Sequence, residues 1–374
     1  MSAARDIEVF INAAPGETRL ALVEGRRLVE YVNSRVGAQS QVGAVYMGRV
    51  ANVSRALDAA FIELGLDRPG LLAFSDTKEG APKLVEGASV CVRVTRDATD
   101  DKGYKLTGRI DQAQENDWLA DARAPALIQP APDPVQHFLD TRVRPGWRVI
   151  ADSPRAGVDL HRARTPIFAE HDIEAQLEAA LQPEVALGDG ATLVIEETAA
   201  LVAIDVNTGP RGAAHAVNLA AVPEIARQLR LRNLAGQILI DFLPVKGRER
   251  RQQVVDALRA AVADDPNDVH VLGLTRLGLC ELTRRRVGES LAVRLGYRAH
   301  AMRSAETGAL DLLRTLDEQA KASGARVFAP TVSVAIDGLL KSRLGEVRQD
   351  LTRRHALMLD IRVDAALAPG DFKL

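Results

Sequence analysis

Between residues 147 and 300 short apolar runs alternate with longer amphipathic stretches, and this alternation restricts the fold more than any other feature of the chain. WRVIAD is followed by a helical pattern at EHDIEAQLEAAL, then by the strand-like runs TLVIEE and ALVAIDV. A helix across NLAAVPEIARQLRLR, a strand GQILIDF, a helix at ERRQQVVDALRAAVADD and a strand VHVLGL complete the series. Runs of this kind are separated by their period, near 2 for strands and 3.6 for helices. Their alternation argues an α/β layer on a central sheet.

Flanking segments read differently. DIEVFINAAPGETRLALVEGRRLVEYVNSR alternates around PGE and EGR turns, which predicts a strand meander at the edge of a larger sheet. From Gly43 to about Ile110 short β-type runs (AVYMGRVANV, AAFIEL, GLLAF, SVCVRVTR, KLTGRI) follow one another closely and predict a small closed barrel. ADARAPALIQPAPDPV, residues 120–135, holds too much proline for a long helix and reads as a linker or link strand. Past residue 300 the pattern predicts a helix near 306–322, strand ARVFAP, one helix over SVAIDGLLKSRLGEVRQDLTRRH and strand LDIRVD. A chain of 374 residues exceeds the roughly 250 to 300 residues at which single cores stop growing, so several units are expected.

Composition narrows the function classes. Apolar and charged shares of 47% and 26% argue against a disordered chain or a coiled coil. No apolar run nears the roughly 20 residues of a membrane-spanning helix, and the start lacks the apolar block of a signal peptide, so a cytoplasmic protein without membrane attachment is expected. Cys91 and Cys280 stand far apart with no CxxC or His cluster, which argues against a disulfide framework and a zinc site. A net charge of −2 argues against wholesale polyanion binding. Arginine is nevertheless concentrated in RQLRLR (227–232), KGRERR (246–251) and RRR (284–286), each of which reads either as a phosphate-facing run or as a solvated helix face.

Asp205 closes the run LVAID and Asp241 closes ILID. Both carboxylates fall at carboxyl ends of strands, the edge where open α/β sheets bind ligands, and two there would share a hard cation. Asn207 would add an amide oxygen. Magnesium suits such a set, because it keeps several waters, takes one or two carboxylates and activates water for attack on a phosphodiester. Taken singly, a strand-end Asp is as ordinary a turn or cap residue. Phe61 on the barrel reads as a base-stacking platform or as core, and Lys102 as a phosphate contact or a solvated loop lysine. Glu196 and Glu197 read as surface residues.

The ordered motifs ETAALVAIDVNTG, NLAAVPEIARQLRLRNLAGQILIDF and TRLGLCELTRRRVGESL, with YMGRVANVSRALDAAFIELG and INAAPGETRLALVEGRRL upstream, resemble the bacterial RNase E/G endoribonucleases over most of the chain. The resemblance implies an RNase H-like catalytic domain (1–38 and 120–300), an inserted OB-fold barrel (39–119) that clamps single-stranded RNA, and a small C-terminal α/β domain (301–374). It implies that Asp205 and Asp241 bind Mg2+, with Mn2+ as a substitute, that Asn207 assists, and that the cut leaves 5′-phosphate and 3′-hydroxyl ends. Phe61 and Lys102 would touch RNA from the barrel, with Arg276, Arg284 and Arg286 close to the catalytic groups. Three departures stand out. The chain passes from DWLADARAPALIQP almost straight into the core, so the family's Arg-Thr pocket for a 5′ monophosphate is expected to be absent. The region VRLGYRAHAMRSAETG lacks the family's zinc-sharing cysteines, so neither zinc nor a zinc-linked dimer is expected. The second barrel aromatic of the family is Leu71 here, which leaves open an alternative, a protein of the same family that binds RNA with weak or no turnover. A phosphatase or nucleotide hydrolase on the same fold is a more distant reading, without a P-loop to support it.

Overall fold

A computed structural model describes residues 6–37, 40–78, 83–98, 102–110, 123–155, 157–210, 212–298 and 302–374. The chain forms two compact units, one of residues 1–37 with 142–374 and one of residues 38–141.

In the second unit the short β-type runs become β4 (Val45–Ser54), β5 (Ala59–Glu63), β6 (Gly70–Ala73), β7 (Ser89–Arg96) and β8 (Tyr104–Thr107). Their order β5-β6-β8-β7-β4, closed by pairing of β4 with β5, makes an OB-like five-stranded barrel. The proline-rich stretch contributes β9 (Ala126–Gln129), which pairs with β4 outside the closed ring. Val50, Ile62, Leu72, Val92 and Leu106 fill the interior, one face of each strand as period-2 alternation requires.

The other unit contains two main sheets where the sequence suggests one. The N-terminal meander β1 (Ile7–Ala14), β2 (Glu17–Glu24) and β3 (Arg27–Arg35) is antiparallel, and β1 pairs in parallel with β10 (Arg148–Ala151), which pairs with β11 (Asp159–Leu160). The second sheet has the order β12-β13-β14-β15-β17-β16, from β12 (Glu184–Gly188), β13 (Ala191–Glu197), β14 (Val202–Asn207), β15 (Gly236–Asp241), β16 (Val269–Leu274) and β17 (Cys280–Arg284). β1–β3 therefore do not edge the sheet that carries Asp205 and Asp241. Alternation in sequence fixes the kind of element but not the partner a strand finds, and β10 finds β1 about 140 residues upstream.

Helices α1 (Ile173–Ala180), α2 (Ala214–Leu231) and α3 (Arg248–Ala261) pack these sheets. Ala221, Ile225 and Leu229 of α2 and Val255 and Leu258 of α3 share one core with Ile204, Ile238 and Ile240 of the strands. Each such aliphatic side chain contributes roughly 1.5 to 3 kcal/mol by leaving water. Both helices thus cover one face of the six-stranded sheet. On the opposite face β14 turns out Asp205 and Asn207, and β15 turns out Asp241.

The tail is built around α4 (Ala305–Ser323), capped by the Ser304 hydroxyl accepting from the Thr307 N–H. The single helix expected over 333–355 is two, α5 (Val334–Lys341) and α6 (Gly345–His355). The break falls at Ser342–Leu344, where Ser342 leaves the helical conformation at φ −110° and ψ −104°, and Ile336, Leu340, Leu344 and Leu351 all enter the core formed with α4. Among the described residues no helix is long and apolar enough to cross a membrane.

Candidate active site

β14 and β15 are parallel neighbours joined through α2, and their register sets Asp205 directly beside Asp241. Val202, Ile204 and Val206 face the helices, so Asp205 and Asn207 must face away from them, and Ile238 and Ile240 impose the same direction on Asp241. Neighbouring strands lie about 4.8 Å apart, which brings the two carboxylates to one open edge. Asn207 Nδ2 donates to Asp205 Oδ2 at 3.1 Å. Among the described residues neither carboxylate has an arginine or lysine partner.

Two unneutralised charges at such spacing repel by roughly 1 kcal/mol in water, a cost that a divalent cation between them would reverse. The donor set fits magnesium, which takes one or two carboxylates and fills its octahedron with water and substrate oxygens. Among the described residues no group of three or more His, Cys, Asp and Glu side chains is placed to hold a metal ion by protein ligands alone. Cys280 is buried on the helix side of β17, where burial pushes its thiol up to about 11 and makes it a poor ligand.

Two further segments reach the same edge. The amide of buried Asn218 in α2 donates to the Leu243 carbonyl at 2.9 Å and accepts from the Leu243 N–H at 3.0 Å, two residues beyond Asp241. Lys246, Arg248, Arg250 and Arg251 follow, all exposed and without an ion pair among the described residues. β17 runs antiparallel to β15 with Cys280 opposite Ile240, so the turn carrying exposed Arg276 also lies at the Asp241 end. Asn218 gave no sequence signal, because an asparagine in a helical pattern reads as a solvated position.

The remaining basic residues belong elsewhere, contrary to the sequence-based expectation. Arg284 is 3% exposed, bound to Asp265 at 3.0 Å, to Asn233 Oδ1 and to the Leu234 carbonyl, and cannot touch a polymer. Arg286 donates to the Ala235 carbonyl at the start of β15, roughly 16 Å of strand from Asp241. In the RQLRLR run, Arg227 and Arg230 face carboxylates, not phosphate. Arg227 holds Glu224 and the Leu28 carbonyl, and Arg230 holds Glu30 at 2.7 Å. Burial pushes the Glu224 carboxyl up, but hydrogen bonds from Arg227 and Gln228 and the charges of Arg227 and Arg27 bring it below its ordinary 4.5. Glu196 and Glu197 are exposed, as expected.

On the barrel, Ala60 and Ile62 point inward and Phe61 outward, half-exposed, which removes the core reading for it. Cross-strand register aligns Asn52, Phe61, Leu71 and Lys105 in one row, with Arg96 next to Lys105. Lys102 is exposed just before β8. Lys105 and Arg96 are additions to this face that only the register reveals.

An α/β protein with an inserted OB-like barrel and two carboxylates abreast at one sheet edge is the class these features define. Residues 141–287 match the Ribonuclease E/G family. The chain is 26% identical to Ribonuclease E of Haemophilus influenzae over 97% of its own length and 50% of the relative's. It is 27% identical to Ribonuclease G of Escherichia coli over 76% of the chain and 81% of that protein, and 26% identical to Escherichia coli Ribonuclease E over 89% and 42%. It spans half or less of the Ribonuclease E relatives it matches. The alignment to the Haemophilus protein runs over 482 positions, so that relative carries residues at many positions where this chain has none.

Proposed function

We propose that this chain is a magnesium-dependent endoribonuclease that hydrolyses single-stranded RNA to 5′-phosphate and 3′-hydroxyl ends in RNA processing or decay. The observation that carries the reading is the register of β14 and β15, which aligns Asp205 with Asp241, two carboxylates without a cationic partner among the described residues. Asp205 and Asp241 would hold the metal, which would supply an activated water and charge compensation for the phosphodiester, and Asn207 fixes the Asp205 carboxylate through its amide. Lys246, Arg248, Arg250, Arg251 and Arg276 neutralise the phosphates of the strand at that edge, and Phe61, Lys102 and Lys105 supply a stacking and phosphate row on the barrel. The catalytic chemistry is assigned to the six-stranded sheet. On this reading the RNase H-like catalytic domain takes in both main sheets, and the six-stranded one carries Asp205 and Asp241. The cytoplasm is the proposed compartment, and neither a zinc ion nor a zinc-linked dimer forms part of the reading.

Asp205→Asn and Asp241→Asn are expected to lower magnesium-dependent cleavage of an end-labelled A/U-rich strand at least 100-fold while leaving its binding unchanged. Undiminished cutting by both variants refutes the assignment. RNA binding without turnover is the second reading, favoured by Leu71 beside Phe61. It wins if the unaltered protein binds the strand and never cuts it at any magnesium concentration.

A further inference from the structure

At the sheet edge opposite the acidic pair lies a cavity of about 170 Å³. Leu181, Ile195, Leu234 and Leu291 form its apolar walls, and Arg232, Ser290 and Glu197 are its polar lining. Glu197 pairs with Val202 at the start of β14, which places the cavity lining about 10 Å of strand from Asp205.

Arg232 and Ser290 are only 7% and 3% exposed. Arg232 Nη2 and Ser290 Oγ are buried and have no hydrogen-bond partner among the described residues. Arg232 Nε is satisfied by Gln228 Oε1 at 2.5 Å, so it is the outer nitrogen that is left over. Among the described residues no carboxylate forms an ion pair with the Arg232 guanidinium, and Glu224, whose charge acts on it, is engaged by Arg27, Arg227 and Gln228. Burial and the nearby charge of Arg227 lower Arg232 to about 10, so it remains protonated at neutral pH. An isolated buried cation beside an unpaired hydroxyl is costly unless something with acceptor oxygens meets both. One water needs only about 10 to 15 Å³ of such space, and this cavity is far larger.

We infer that this cavity binds a small free oxyanion of the phosphate type, with Arg232 and Ser290 as its donors. The Glu197 carboxylate makes no ion pair with Arg232 among the described residues. Glu197 is exposed and disfavours polyanions, so the occupant is a free anion and not the backbone of an RNA strand. The site is independent of the acidic pair.

The test titrates the whole chain with inorganic phosphate at constant ionic strength held by chloride, following the thermal midpoint and heat of binding. A saturable rise in midpoint is expected for the unaltered protein and for Asp205→Asn. Ser290→Ala removes a hydroxyl that is unpaired without ligand, so it should fold normally and bind phosphate roughly tenfold more weakly, the loss of one hydrogen bond to a charged group. Arg232→Gln should lose the response, and Glu197→Gln should bind more tightly. A flat titration of the unaltered protein overturns the proposal, as does an identical response in Ser290→Ala and Glu197→Gln. Displacement of phosphate by a short 5′-hydroxyl RNA strand overturns the assignment to a free anion.

Discussion

The two arginine-rich runs on either side of β15 are close in composition and opposite in structure. In RQLRLR, Arg227 and Arg230 lie against Glu224, Glu30 and Glu24, and join α2 to the N-terminal sheet. In KGRERR, Lys246, Arg248, Arg250 and Arg251 stand in solvent at the start of α3, beside the Asp241 end of the sheet. The difference comes from what each helix packs against. α2 lies against β3 and meets carboxylates brought from residues 24 and 30, whereas the first turn of α3 projects past the sheet. Identical charge is spent on holding the fold in one case and is left available for a polyanion in the other.

The widest separation of the two runs is expected from Arg227→Ala. It strips a buried carboxylate of its main partner and the Leu28 carbonyl of a donor, and should cost about 3 kcal/mol in urea unfolding. A loss no larger than that of an exposed arginine breaks the comparison. Acid should act through this cluster and through the separate Glu17 cluster with Arg35 and Asn33. The Glu224 carboxyl is held below its ordinary 4.5, and so is that of Glu17, which burial pushes up but Arg35 and Arg19 pull further down. Their stabilising contribution is therefore complete above about 4.5 and is lost as pH falls through the lowered folded values. Glu224→Gln should flatten that part of the stability profile, and an unchanged profile contradicts the pairing. The smallest effect on stability is expected from Arg250→Ala with Arg251→Ala, within about 0.5 kcal/mol. That double variant should instead reduce the salt dependence of RNA binding by about two phosphate contacts, and an unaltered slope removes these arginines from the interface.

Much of the site could be read before any coordinates, for a physical reason. An apolar run that ends in Asp and is followed by a turn fixes both the strand and the side of the sheet at its end, so Asp205, Asn207 and Asp241 were legible. The barrel was legible through its closely spaced period-2 runs. What failed depended on distant partners. Arg284 looks like a third surface arginine until Asp265 and Asn233 surround it, and Arg286 follows a strand whose direction decides which edge it occupies. The split of the α/β layer into two sheets is likewise settled by pairing between segments far apart in sequence. Lys105 joined Phe61 only through the parallel pairing of β6 with β8.

The paired hydrogen bonds between Asn218 and Leu243 have a kinetic consequence. The segment after Asp241 contains no regular secondary structure, yet its Leu243 N–H is tied to a residue 1% exposed in the core of α2. Opening that bond requires the helix to leave the sheet, so the Leu243 amide should exchange with deuterium as slowly as the amides of β15, while the amides of residues 246–248 exchange quickly. A loop with core-like persistence on one side and unrestrained cations on the other would let the carboxylate edge stay fixed while the basic groups adjust to whatever strand arrives.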